Sequence, residues 1–138
     1  MNIHLHWRCL GTEQDPGWQL SRCMYAYAAP HSNEILYIGK AWGKTVRERW
    51  CRSGKEDFWD DLEQQRGIGR HATLLGEVAL LPGCRFTHEL LSDIESLLIH
   101  RLQPWGNIQS RTSRIERPEL SVRCIGTWPP SRKLYEDS

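Results

Sequence analysis

The chain has 138 residues, with 18 lysines and arginines set against 17 aspartates and glutamates, a net charge of +1. That length is one domain's worth and can bury a core, while the balanced charge excludes a protein whose whole surface attracts polyanions and leaves only local patches. There is no run of about 18 apolar residues and the polar start "MNIHLHWR" lacks a signal-peptide core, so the expectation is a soluble, cytoplasmic protein with no membrane partner.

Ile3, Leu5, Trp7 and Cys9 alternate with His4, His6 and Arg8, the pattern of a half-buried strand. Residues 11–17, with Asp15-Pro16-Gly17, form a turn-rich connection. Residues 19–28 predict a second strand, 30–33 a turn and 34–40 a third strand, together an antiparallel hairpin. Tyr25 and Tyr27 share one of its faces. After Gly43 the period changes. Thr45 and Glu48 fit a capping box opening a helix to about Ser53, and residues 55–65 predict a second helix with Phe58, Trp59 and Leu62 inward. Gly67 and Gly69 break it. Residues 72–81 are β-rich and end at Pro82-Gly83. Thr87 opens the longest helix, where Phe86 and Leu91 are placed for a hydrophobic staple, and it should end near Leu102, before Pro104. From Asn107 to Glu119 the chain is basic and irregular, and "LSVRCIGTW" predicts a last strand.

Five cysteines stand at wide spacing with no CxxC pair, which reads as reduced, mostly buried thiols. A Cys/His metal or redox protein would need sulfur ligands to converge in space. The seven tryptophans anchor core or interface.

Three features break local rules compatibly. Arg47 sits in the opening turn of a capped helix, where the macrodipole disfavours cations unless an anion sits at the helix N-terminus. Glu95 falls on the flank of the stripe Leu90, Leu91, Ile94, Leu97, Leu98 and Leu102, drawn at about 100° per residue, and needs a cation or a metal as partner. The basic residues are segregated: Lys40, Lys44, Arg47, Arg49, Arg52 and Lys55 form one group, and Arg101, Arg111, Arg114 and Arg117 another. Such patches bind phosphate backbones, with Trp42, Trp50 and Trp105 available to sugar or base.

Tyr37-Ile38-Gly39, Arg47 ten positions on, Glu95, and Asn107 twelve positions after it resemble the GIY-YIG nuclease family. The likeness spans roughly residues 23–109 of one 1–138 domain, with an N-terminal strand and a C-terminal extension outside it. It implies an α/β (α+β) fold, a small, mainly antiparallel sheet flanked by helices. It also implies hydrolysis of DNA phosphodiesters with one Mg2+ or Mn2+ ion. In that likeness Tyr37 is the YIG tyrosine, Arg47 binds phosphate, Glu95 is the metal ligand and Asn107 is the trailing asparagine. Lys40 matches a lysine of some members, the DNA repair incision nucleases among them. The first motif departs from GIY and is carried by Tyr25 or Tyr27. Cys51 stands where many members have His or Tyr, a role left missing or filled by Trp50 or His71. The resemblance makes a tyrosine of the hairpin the group that orients or deprotonates water. A phenol with a pKa of about 10 does this poorly unless a cation helps, and Lys40 is the expected one. Lys44, Arg49, Arg52, Asn107, Arg111 and Arg114 are the expected DNA contacts. The alternative is a DNA- or RNA-binding module that keeps the fold and has lost catalysis. Substrate form stays open, and a homodimer or a protein partner could supply targeting.

Overall fold

Six strands form one sheet in the order β3-β2-β4-β1-β5-β6, a mixed α/β arrangement in which every pairing is antiparallel except β1 with β5. The structure is a computed structural model and describes residues 1–51, 55–107 and 119–136. The strands are β1 (Asn2–Cys9), β2 (Arg22–Ala28), β3 (Ile35–Trp42), β4 (Ala72–Ala79), β5 (Ser121–Gly126) and β6 (Leu134–Glu136). The helices among the described residues are α1 (Val46–Cys51), α2 (Lys55–Arg66) and α3 (His88–Leu102), with a 3₁₀ turn at Pro16–Gln19. No helix among them is long and apolar enough to cross a membrane.

Alternation decides which side of the sheet each side chain takes. Ile3, Leu5 and Trp7 of β1 join Met24, Ala26 and Ala28 of β2 under α3, whose Leu90, Leu91, Ile94, Leu97, Leu98 and Ile99 are buried there. Each such leucine or isoleucine contributes about 1.5–3 kcal/mol by leaving water. Leu102, expected on this stripe, is only half-buried, and Ile99 takes its place. The opposite face carries Cys23, Tyr25 and Tyr27 beneath α1 and α2, with Trp18, Trp50, Phe58 and Trp59 closing over them.

Local signals act as anticipated. The Glu48 N–H donates to Thr45 Oγ1 (3.1 Å) and the Thr45 N–H to Glu48 Oε1 (3.2 Å), a reciprocal capping box. Thr87 Oγ1 accepts from the Leu90 N–H at 3.1 Å and starts α3. Tyr27 pairs with Tyr37, and Tyr25 with Gly39, in the β2–β3 hairpin.

Two features depart from expectation. β1 is no appendage: it lies inside the sheet between β4 and β5. The carboxy-terminal region adds β6 as well as β5, and Trp128 stacks on Trp7 with ring centres 4.6 Å apart.

Candidate active site

β3 ends the sheet, so the groups on its two faces and along its outer edge can approach one another around it. Tyr37 and Lys40 lie three residues apart on this strand and so take opposite sides. Lys40 points to α3, where its ammonium donates to Ser92 Oγ (2.7 Å) and stands 3.8 Å from Glu95 Oε1. Ser92 and Glu95, i and i+3 on α3, share the face that meets β3.

Glu95 is three-quarters covered. Burial holds its carboxyl above the usual range, and Lys40, Arg49, the Lys40 backbone N–H and His88 pull the other way without winning. The carboxylate therefore stays under-compensated although cations surround it.

On the other face, Tyr25, Tyr27 and Tyr37 pack together, with ring centres 5.4–6.1 Å apart. Tyr25 and Tyr27 are fully buried, while Tyr37 is half-buried. Gly39 makes this possible, because a Cβ there would fall inside the Tyr25 ring. Burial, reinforced by Tyr37, pushes the Tyr25 hydroxyl well above the ordinary phenol range, and Arg49 opposes the shift. Arg49 approaches that hydroxyl more loosely than a regular hydrogen bond: the Tyr25 hydroxyl and Arg49 Nε are both buried without a partner of normal geometry. Burial works against the charge of Arg49, and Tyr25, Tyr37 and Glu95 outweigh it.

The guanidinium that faces both the tyrosines and Glu95 is thus Arg49, whereas the motif spacing points to Arg47. Helix geometry gives the reason. Val46 is fully buried and anchors α1; Arg49 and Trp50, three and four residues on, flank that inward line. Arg47, a further 100° round from Val46, turns to the 3₁₀ turn instead. There its Nη2 donates to the Glu13 carbonyl (3.1 Å) and its guanidinium lies over Trp18, 5.7 Å from the ring centre. The first amides of α1 are also engaged, Val46 N–H by the Leu20 carbonyl and Glu48 N–H by Thr45, so the expected anion at that helix start meets no free donors from either residue.

Three further expectations change. Lys40 does not sit over the tyrosines; the cation against them is Lys55, a buried lysine whose ammonium is 4.3 Å from the Tyr37 ring centre and 5.1 Å from that of Tyr27. In the sequence Lys55 stands out only as part of a basic run, although a lysine that opens a helix against the macrodipole is itself a signal. Asn107 is no exposed DNA contact: it is buried, its Nδ2 donates to the Ile38 carbonyl (2.8 Å) and its Oδ1 accepts from the Ile38 N–H (2.8 Å). Gly106 N–H donates to the Leu36 carbonyl (2.7 Å), so the Pro-Trp-Gly-Asn turn zips onto the edge of β3. Trp105, offered to sugar or base, is half-buried against Phe58.

Lys44 is exposed beside α1. Arg52, Arg111 and Arg114 lie outside the described residues, as does the side chain of Cys51. Of the two groups suggested for the role at Cys51, Trp50 donates through Nε1 to His71 Nε2 (3.3 Å) and His71 stacks on Trp59 at 4.0 Å. Burial and Lys55 lower the His71 pKa to about 4, which keeps its ring neutral.

Among the described residues no three of His, Cys, Asp and Glu come together as a metal shell. One carboxylate suits a hard divalent ion that keeps most of its waters, and the under-compensated charge of Glu95 fits such an ion. No family model matches the chain, and neither a curated protein nor a solved structure matches it.

Proposed function

We propose that the chain is a divalent-metal-dependent endonuclease that hydrolyses DNA phosphodiester bonds by the GIY-YIG chemistry its motifs resemble, with Arg49 on the scissile phosphate. The observation that carries this reading is that one guanidinium, Arg49, lies within electrostatic reach of both a phenol, Tyr37, and a carboxylate, Glu95, and that all three are partly open to solvent.

Glu95 would hold one Mg2+ or Mn2+, which when bound polarises the phosphate and stabilises the departing 3′ oxygen. Arg49 donates to the phosphoryl oxygens and offsets the charge that builds on them. Tyr37, the tyrosine that solvent can reach, accepts a hydrogen bond from the attacking water and orients it. Tyr25 and Tyr27 are sealed, and Tyr25 is held in its protonated form by burial, so their part is to position Tyr37 and Arg49. Lys40, fixed by Ser92, steadies the Glu95 carboxylate. Lys44 and Arg47 attract the flanking backbone without reading its sequence.

A second reading, binding without cleavage, draws on the Lys40 ammonium, which competes with a metal for Glu95. One experiment separates them. Purified protein is incubated with supercoiled plasmid and with branched DNA, with Mg2+ or Mn2+ added or withheld. The hydrolase reading expects metal-dependent nicks that Glu95→Gln abolishes while its thermal melt stays intact. Retention of both DNAs on a gel with no nicks supports the binder. Nicks that persist in Glu95→Gln overturn the assignment of the carboxylate.

A further inference from the structure

The side of α1 that carries Arg47 has a use of its own. Gly11, Glu13, Trp18, Arg47 and Trp50 line an open cleft of about 160 Å3, room for one flat ring system and far short of a drug-sized pocket. Its two aromatic walls are held before any ligand arrives. Trp18 Nε1 donates to the Thr12 carbonyl (3.1 Å) and Trp50 Nε1 to His71 (3.3 Å), so neither indole spends its N–H on a guest or turns freely. The loop presenting Trp18 is braced as well: Asp15 accepts two bonds from Arg8 (2.8 and 2.9 Å) and others from the Gly17 and Gly11 amides (2.9 and 3.3 Å). The walls meet edge to face at 71°, an angle that cannot sandwich a ring but lets one stack on one indole and touch the edge of the other. The Arg47 guanidinium, over the Trp18 ring and bonded through Nη2 to the Glu13 carbonyl, supplies positive charge for a phosphate attached to a ring in the cleft.

A flat, sequence-tolerant ring carrying a phosphate is an unstacked nucleotide, and we infer that this cleft takes one unpaired base of the DNA that the β3 site engages, which makes locally unpaired DNA, bulged or branched, the favoured substrate over perfect duplex. The inference rests on the nucleic-acid reading above but not on its chemistry.

The test uses the full chain in EDTA, so that nothing is cut. Two duplexes of one sequence carry 2-aminopurine at the same position, either as a single-nucleotide bulge or fully paired. Wild type should bind the bulged probe about tenfold more tightly, the worth of one base stacked on an aromatic ring, and quench its fluorescence. Trp18→Leu, which keeps apolar bulk, should lose the preference, and Trp18→Phe should keep most of it. Equal affinity for the two probes, an absence of quenching by wild type, or a preference unchanged in a Trp18→Leu protein that melts normally would each overturn the inference. If the preference holds and Mg2+ yields no nicks, the cleft stands and the hydrolase reading falls. Nicking without a preference does the opposite: the hydrolase stands and the base-binding cleft falls.

Discussion

Replacing Asn107 with alanine should destabilise the fold rather than weaken a DNA contact. Its amide makes two 2.8 Å hydrogen bonds to the backbone of Ile38, across a sequence separation of 69 residues, and Ile38 is fully buried. Alanine would leave a buried N–H and a buried C=O on the edge of β3 with no partner. Each such orphan costs about 1–3 kcal/mol, so the pair should cost about 2–4 kcal/mol once some relaxation or entry of water is allowed. For a chain of 138 residues that corresponds to a melting point lower by about 10 °C. Asn107→Asp should be worse, because a carboxylate oxygen would then face the Ile38 carbonyl. Urea titration followed by circular dichroism gives the loss directly, as a lower midpoint at unchanged slope. DNA affinity, measured well below both transitions, should stay within about threefold of wild type, less than the loss of one ordinary hydrogen bond to the ligand. A stable Asn107→Ala protein that binds DNA poorly would refute this reasoning and return the amide to the ligand.

The two arginines of α1 should separate by kinetics: Arg49→Ala should lower the metal-dependent cleavage rate by about 100-fold or more, as removal of an oxyanion donor does, whereas Arg47→Ala should mainly weaken binding and reduce its salt dependence. The opposite order in single-turnover assays would return the phosphate to Arg47. Gly39→Ala should cost about 1–3 kcal/mol by driving a methyl into the sealed Tyr25 ring, and Tyr25→Leu in the same chain should recover part of the loss, read as a non-additive urea midpoint. His71 has its folded pKa depressed from 6.5 to about 4, so the unfolded chain binds the extra proton between those values. Stability is therefore full above about pH 6.5 and falls as pH drops towards 4, by on the order of 1–2 kcal/mol after discounting for the half-exposed ring. His71→Gln should flatten that part of the stability–pH curve; an unchanged slope would show that the proton goes elsewhere.

What can be read from the sequence follows the range of the forces involved. The capping box at Thr45, the N-cap at Thr87 and the β2–β3 hairpin depend on neighbours within a few residues, and they stand where the residues put them. Glu95 is legible as an odd carboxylate because angular arithmetic on α3 needs no tertiary knowledge. The side taken by Lys40 is legible too: three residues from Tyr37 on a strand means opposite faces, and only motif order puts the two together. The choice between Arg47 and Arg49 is of another kind. It depends on Val46 being the buried anchor of α1, and Val46 is anchored by a sheet face assembled from distant strands. The interior position of β1 and the existence of the three-residue β6 rest on pairings that no local pattern carries.

The two proposals together constrain how a substrate lies. Arg49 and Arg47 are two residues apart on α1, about 200° round the axis and about 3 Å along it, so they leave the helix on nearly opposite sides. A helix with its side chains is about 10–12 Å across, and a stacked strand advances about 3.4 Å per nucleotide. A strand with its scissile phosphate on Arg49 therefore passes the Trp18–Trp50 cleft about three nucleotides away. Cleavage of bulged DNA should accordingly fall at a fixed offset of about two to four nucleotides from the unpaired base, on one side only, because α1 has a single polarity relative to Glu95. Mapping cuts on a series in which the bulge is moved one position at a time reads that offset. Cuts that ignore the bulge and hold to a fixed sequence would mean that the two sides of α1 do not serve the same strand.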